Sequence, residues 1–300
     1  MTRTPAEAVI TPLFRHGAAL EGVPEIPILA PPRNPLPAAA AAVTGADLSG
    51  LAKLWFLAGP GGAGKTVMAR WLFWRMTVQG RGAALAALDP TNRSLASWFA
   101  GVEQPPANGS AQTARWLRQF REYLMPGPGG IPAQPAILDF GGGDTALERV
   151  VESAPDLDGT LKDAGFGVVA CYPLTPRVDD LTLVSALESA GFQPAATVLL
   201  LNEGRADPAV PRDEAFATVT RHSVFRAAVA RGAAVVWMPA LESDVMREIE
   251  AKRLDFGMAR DGQVPDGAAF HPVGGLRRGM VRRWLEHMET AFAPVGGWLP

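Results

Sequence analysis

The chain has 300 residues, 48% of them hydrophobic, and its 28 Lys and Arg against 30 Asp and Glu leave a net charge of −2. Such a balance describes a globular α/β-sized chain and excludes collagen, coiled coil and wholesale disorder; it also supplies no global field to draw nucleic acid or an anionic bilayer. One cysteine, Cys171, excludes an internal disulfide and a multi-thiolate zinc site, and four lysines against 24 arginines make each lysine informative.

Residues 1–50 read as an extended arm rich in proline and alanine, with prolines at 5, 12, 24, 27, 31, 32, 35 and 37. Residues 51–300 read as one nucleotide-binding domain. Its first apolar run, 53–58, is followed by Gly59-Pro60-Gly61-Gly62-Ala63-Gly64-Lys65-Thr66 and then by a helical stretch at 67–76. This is a complete G-x-x-x-x-G-K-[ST] phosphate loop between a strand and a helix. Glycines let backbone N–H groups converge on an anion, the helix N-terminus adds its positive end, Lys65 reaches the β- and γ-phosphate oxygens, and the Thr66 hydroxyl suits Mg²⁺.

The second run, 83–88, leads into Asp89-Pro90-Thr91-Asn92, where a carboxylate beside the first strand's loop could orient water or metal; an Asp-Pro turn would look the same. Residues 101–130, rich in Pro and Gly around a helical piece at 111–124, read as an insertion. The third run, 136–139, ends in Asp139 followed by Phe140 and three glycines, the form of a Walker B strand whose carboxylate accepts from Thr66 or a metal-bound water. The Asp-Phe-Gly string is not a protein-kinase signature, because no H-R-D-x-x-x-x-N loop precedes it.

The fourth run, 167–172, holds Cys171 as a small buried residue, and Thr175-Pro176-Arg177 opens a helix over 178–190 in which Asp179 and Asp180 suit the first turn by the helix dipole. The fifth, 197–201, is followed by Asn202, an amide where a nucleobase would lie, and by a second insertion at 203–221. The sixth is 234–238. Near the C-terminus a helix over 276–292 carries Met280, Val281, Trp284, Leu285, Met288 and Phe292 as a core stripe, with Arg277, Arg278, Arg282 and Arg283 as a solvated face or a DNA contact. The four histidines show no metal-ligand spacing.

Short apolar runs alternating with helices predict a mainly parallel sheet with helices on both faces, an α/β P-loop NTPase whose working residues lie beyond the C-terminal strand ends. No apolar run is long enough to span a membrane, and no secretory signal pattern opens the chain, so a cytoplasmic protein is expected.

In the loop 61–66, in Leu88-Asp89-Pro90-Thr91-Asn92, in Asp139 and in Asn202 the sequence resembles the ParA/MinD group of P-loop ATPases, including the TraL-like proteins of plasmid conjugation. The resemblance implies ATP and Mg²⁺ as ligands and a nucleotide-dependent homodimer working with DNA or a plasmid partition or conjugation protein. It also implies roles: Lys65 on the phosphates, Asp89 positioning the attacking water, Thr66 and Asp139 holding the metal, and Asn202 contacting adenine. Two departures stand out. Pro60 occupies the place of the family's signature lysine, and Ala87 replaces an aspartate at the end of the second strand, so transition-state charge must be met elsewhere, by an arginine for example, or hydrolysis is slow. The alternatives are a small-molecule phosphotransferase, with the insertions as acceptor pocket and lid, and a nucleotide-binding regulator that hardly hydrolyses.

Overall fold

The computed structural model describes residues 46–88, 95–99, 102–105, 134–141, 146–153 and 157–300, together with residues 112, 115, 116 and 119 of a helical stretch. The expected arm lies outside these residues as far as position 45, and so do Asp89 and most of the first insertion. Six strands form one sheet: β1 (Ala52–Leu57), β2 (Ala84–Ala87), β3 (Ala136–Asp139), β4 (Phe166–Leu174), β5 (Ala196–Asn202) and β6 (Ala234–Met238). Their spatial order is β2-β3-β1-β4-β5-β6, and every neighbouring pair is parallel. All six strands coincide with the six apolar runs. A strand covered on both faces has no reason to alternate apolar with polar, and that is why the runs are continuous.

Helices do cover both faces. Because side chains alternate along a strand, Trp55 and Leu57 enter one core with Met68, Trp71 and Leu72, while Leu54 and Phe56 enter a second with Val184, Leu187, Phe216 and Val219. The first core is closed by helix α1 (Lys65–Val78) and by the C-terminal helix Gly275–Phe292, whose Val281, Trp284, Leu285, Met288 and Phe292 are all buried. Trp71 meets Phe292 with ring centroids 4.7 Å apart, an arrangement worth about 0.5–1.5 kcal/mol beyond the area it buries. The chain then returns to β1: Trp55 Nε1 donates to the Trp298 carbonyl at 2.8 Å, and Trp298 Nε1 to the Ala46 carbonyl at 2.9 Å.

Residues 203–221, expected as an insertion, form the 3-10 turn Glu203–Arg205 and the short helices Arg212–Ala215 and Ala217–Arg221 between β5 and β6, with Phe216 and Val219 fully buried. The expected helix at 178–190 begins as the 3-10 turn Val178–Leu181 and becomes α-helical only over Thr182–Ser189. That delay turns Asp180 inward, where its carboxylate accepts from Thr175 N at 2.7 Å and Thr175 Oγ1 at 2.6 Å; Asp179 stays exposed.

Candidate functional site

The site begins where β1 runs out. Two glycines of the phosphate loop take left-handed conformations that disfavour a side chain, Gly62 at φ 76° and Gly64 at φ 111°. A Cβ on Gly62 would lie 2.8 Å from Arg205 Nη2, and one on Gly64 would lie 2.5 Å from Asn202 Nδ2. Gly64 then opens helix α1 with no side-chain cap, so the first-turn N–H groups face the loop rather than a capping oxygen. Lys65 is buried, and its ammonium donates to the carbonyls of Gly59 at 2.7 Å and Pro60 at 3.0 Å, across the loop that bears it.

Sheet order brings the second element. Since β3 is hydrogen-bonded directly to β1, with Leu57 in register with Asp139, the carboxylate emerges beside the start of α1. Thr66 Oγ1 donates to Asp139 Oδ2 at 3.2 Å, and Asp139 is only 5% exposed. A hydroxyl and a carboxylate next to a phosphate cradle are hard oxygen donors and fit Mg²⁺, which binds through one or two protein oxygens with phosphate and water completing its shell. Among the described residues no group of three His, Cys, Asp or Glu is placed to hold a metal by itself.

Asn202, at the end of β5, also reaches the loop. Nδ2 donates to the Ala63 carbonyl at 2.7 Å, and Oδ1 accepts from Gly204 N at 3.0 Å. The side chain thus ties the loop to the turn Glu203–Arg205 and positions both. The same turn delivers Arg205, which motif spacing did not single out, although its place three residues past a strand end was a usable signal. Asp89, with Asn92 and Gly142 to Asp144, lies outside the described residues.

These groups line one cavity of about 550 Å³ that runs from Gly61, Lys65, Thr66 and Asp139 past Asn202 and Arg205 to Met238, Pro239 and Trp284. Its far wall is fixed by the C-terminal helix, because Trp284 Nε1 donates to the Pro239 carbonyl at 2.8 Å. Arg70 lines it too, as does Trp98. This guanidinium, one turn beyond Thr66 in α1, is 3% exposed; it sits 3.5 Å from the centroid of Trp98 and 4.7 Å from that of Phe256, and donates to the Leu254 carbonyl at 3.1 Å. Burial pushes its pKa down to about 10, against the opposing pull of Glu250 and Asp255. As the lone charge in Val67-Met68-Ala69-Arg70-Trp71-Leu72-Phe73 it was visible in the sequence, but nothing local shows what a buried arginine faces.

The arginines of the C-terminal helix do not form one open face. Arg277 bonds Glu248 at 2.6 Å and Asp244 at 2.7 Å, Arg278 lies over Gly262, and only Arg282 and Arg283 are exposed. No helix among the described residues is long and apolar enough to cross a membrane.

No protein-family model matches the sequence, and no curated protein matches it. Solved structures similar in fold include a ParA family ATPase from Chlorobium tepidum TLS, at 12% identity and TM-score 0.46, covering 78% of this chain and 99% of that one. The MinD cell division protein of Aquifex aeolicus is similar at 12% identity and TM-score 0.39 over 78% and 97% of the two chains. A variant of Cyanothece McdA in complex with ATP is similar at 15% identity and TM-score 0.44 over 81% and 96%. At these identities the likeness is confined to the fold.

Proposed function

We propose that this chain is a MgATP-binding P-loop ATPase of ParA/MinD or TraL type, whose nucleotide state governs self-association and a role in plasmid partition, conjugation or positioning. The observation that carries the nucleotide reading is the Thr66–Asp139 hydrogen bond at 3.2 Å beside a loop whose left-handed turns at Gly62 and Gly64 call for glycine. The ParA/MinD-like part rests on the motif set Gly61 to Thr66, Asp89, Asp139 and Asn202.

In this reading the loop N–H groups and the N-terminus of α1 bind the β- and γ-phosphates, and Lys65 leaves the Gly59 and Pro60 carbonyls for phosphate oxygens. Thr66 and Asp139 hold the metal, which when bound neutralises developing phosphate charge. Asp89 orients the attacking water, and Asn202 contacts adenine from a side chain that also ties the loop to Gly204. Pro60 brings no charge to the γ-phosphate, so transition-state charge is met by another residue or turnover is slow; the same residue favours a second reading, a nucleotide-binding regulator that hardly hydrolyses.

Titration calorimetry of the full chain with MgATP, beside Lys65→Ala, tests the assignment. Binding by the parent and its loss in the variant are expected, since the variant keeps the backbone donors but loses the loop's side-chain cation. Equal affinity in both would remove the P-loop reading. Phosphate release by the parent, measured in parallel, separates the ATPase from the regulator.

A further inference from the structure

Pro60 brings no charge to the phosphate loop, and the structure holds an arginine next to it. Arg205 ends the turn Glu203–Arg205, which Asn202 anchors at both ends: to Ala63 of the loop through Nδ2 and to Gly204 through Oδ1. Its Nη2 lies 2.8 Å from the point where a Cβ would stand on Gly62, the fourth residue of the loop, so the guanidinium rests on backbone that only a glycine leaves uncovered. It lines the same cavity as Lys65, Thr66 and Asp139.

Among the described residues no carboxylate is paired with this guanidinium. The obvious partner, Glu203, is two residues away, but its carboxylate pairs with Arg212 at 2.9 Å, and Arg212 in turn lies 4.8 Å from the centroid of the Trp237 ring. Among the described residues Arg205 forms no ion pair. A planar, permanently charged fork of N–H donors at the edge of an anion cradle matches the paired oxygens of a polyphosphate better than a point charge does.

We propose that Arg205 is a phosphate-binding residue of this site, supplied by the same chain, that clamps the polyphosphate of a nucleoside triphosphate from above Gly62 and provides the positive charge that Pro60 cannot. This rests on the nucleotide-binding reading above. Because Arg205 belongs to the chain that owns the loop, its contribution does not require a second subunit and is independent of protein concentration.

The test is calorimetric titration of the full chain, Arg205→Ala and Arg205→Lys with MgATP, MgADP and AMP. Arg205→Ala is expected to lose roughly tenfold or more in MgATP affinity, less for MgADP and almost nothing for AMP, with Arg205→Lys recovering part of the loss. Unchanged AMP binding doubles as the check that the variant is folded. MgATP affinity in Arg205→Ala equal to the parent's would overturn the proposal, and so would an equal loss for all three nucleotides, which marks a contact to base or ribose. A parent that binds none of them brings down the nucleotide reading itself, whereas MgATP binding that is lost in Lys65→Ala but kept in Arg205→Ala overturns only the role of Arg205.

Discussion

Asn202 Nδ2 and the Ala63 carbonyl are 2.7 Å apart, and that bond joins the end of β5 to the middle of the phosphate loop. The same nitrogen lies 2.5 Å from where Gly64 would carry a Cβ, so the two positions share one small space.

Gly64→Ala is therefore expected to weaken MgATP binding by roughly 10² through strain at φ 111° and through this clash, while Asn202→Ala weakens it roughly tenfold by leaving Ala63 and Gly204 without a partner. Since the alanine's methyl needs the room that the amide occupies, the double variant should bind better than Gly64→Ala alone. Strict additivity in a double-mutant cycle read by calorimetry would refute the shared space.

The two strand-end carboxylates should separate binding from chemistry. Asp139→Asn keeps the shape beside Thr66 but loses the charge, and MgATP affinity should fall toward the value measured in EDTA. Asp89→Ala should leave affinity within a few-fold and lower turnover by roughly 10², as loss of a positioned base does. Parental turnover in Asp89→Ala would leave Asp89 a turn residue and favour the non-hydrolysing regulator or the phosphotransferase.

Arg70 carries a buried charge whose pKa is pushed down to about 10, well below the ordinary guanidinium value. Its folded pKa lies below the unfolded one, so the unfolded chain binds the proton more tightly; burial costs stability at neutral pH, and the cost shrinks only as pH climbs above about 10. Arg70→Met fills the slot between Trp98 and Phe256 without that cost and should stay within about 1 kcal/mol of the parent in urea, whereas Arg70→Ala leaves a void and should lose about 2 kcal/mol. A large loss in Arg70→Met would show that the ring contacts and the Leu254 carbonyl outweigh desolvation.

The Glu248 carboxylate is held below the usual range by its hydrogen bond to Lys252 and, further, by Arg277; Asp244 is lowered chiefly by Arg277. Depressed carboxylates contribute stability above their unfolded pKa and lose it as pH falls through the folded one. Arg277→Gln should lower the melting temperature slightly at pH 7 and not at all once both acids are protonated. A difference that persists in acid would assign the effect of Arg277 to packing.

All six strands and the loop 59–66 were legible because both depend on local rules, continuous burial and a fixed spacing of glycines. The inward turn of Asp180 was not, since it depends on where a 3-10 turn becomes an α-helix, and a first-turn acid looks the same either way. The bonds of Asn202 to Ala63 and Gly204 were not legible either, because a side chain's partners within the fold belong to the neighbouring segments that folding brings up. Arg205 and Arg70 follow the same logic: their neighbours, Gly62 and Trp98, are distant in sequence and meet them only across the packed fold.

The placing of β1 at the centre of an all-parallel sheet also sets an order of events in folding. Its two hydrogen-bonded neighbours, β3 and β4, are both later in the chain, and β2, which is made first after it, pairs with β3 instead. No strand can therefore close on its successor through a hairpin, and the sheet must be assembled by long loop closures, the slow route for a chain of this kind. The bond from Asn202 to Ala63 forms only when β5 is in place, so in a refolding experiment secondary structure should return well before the proposed binding of a nucleotide.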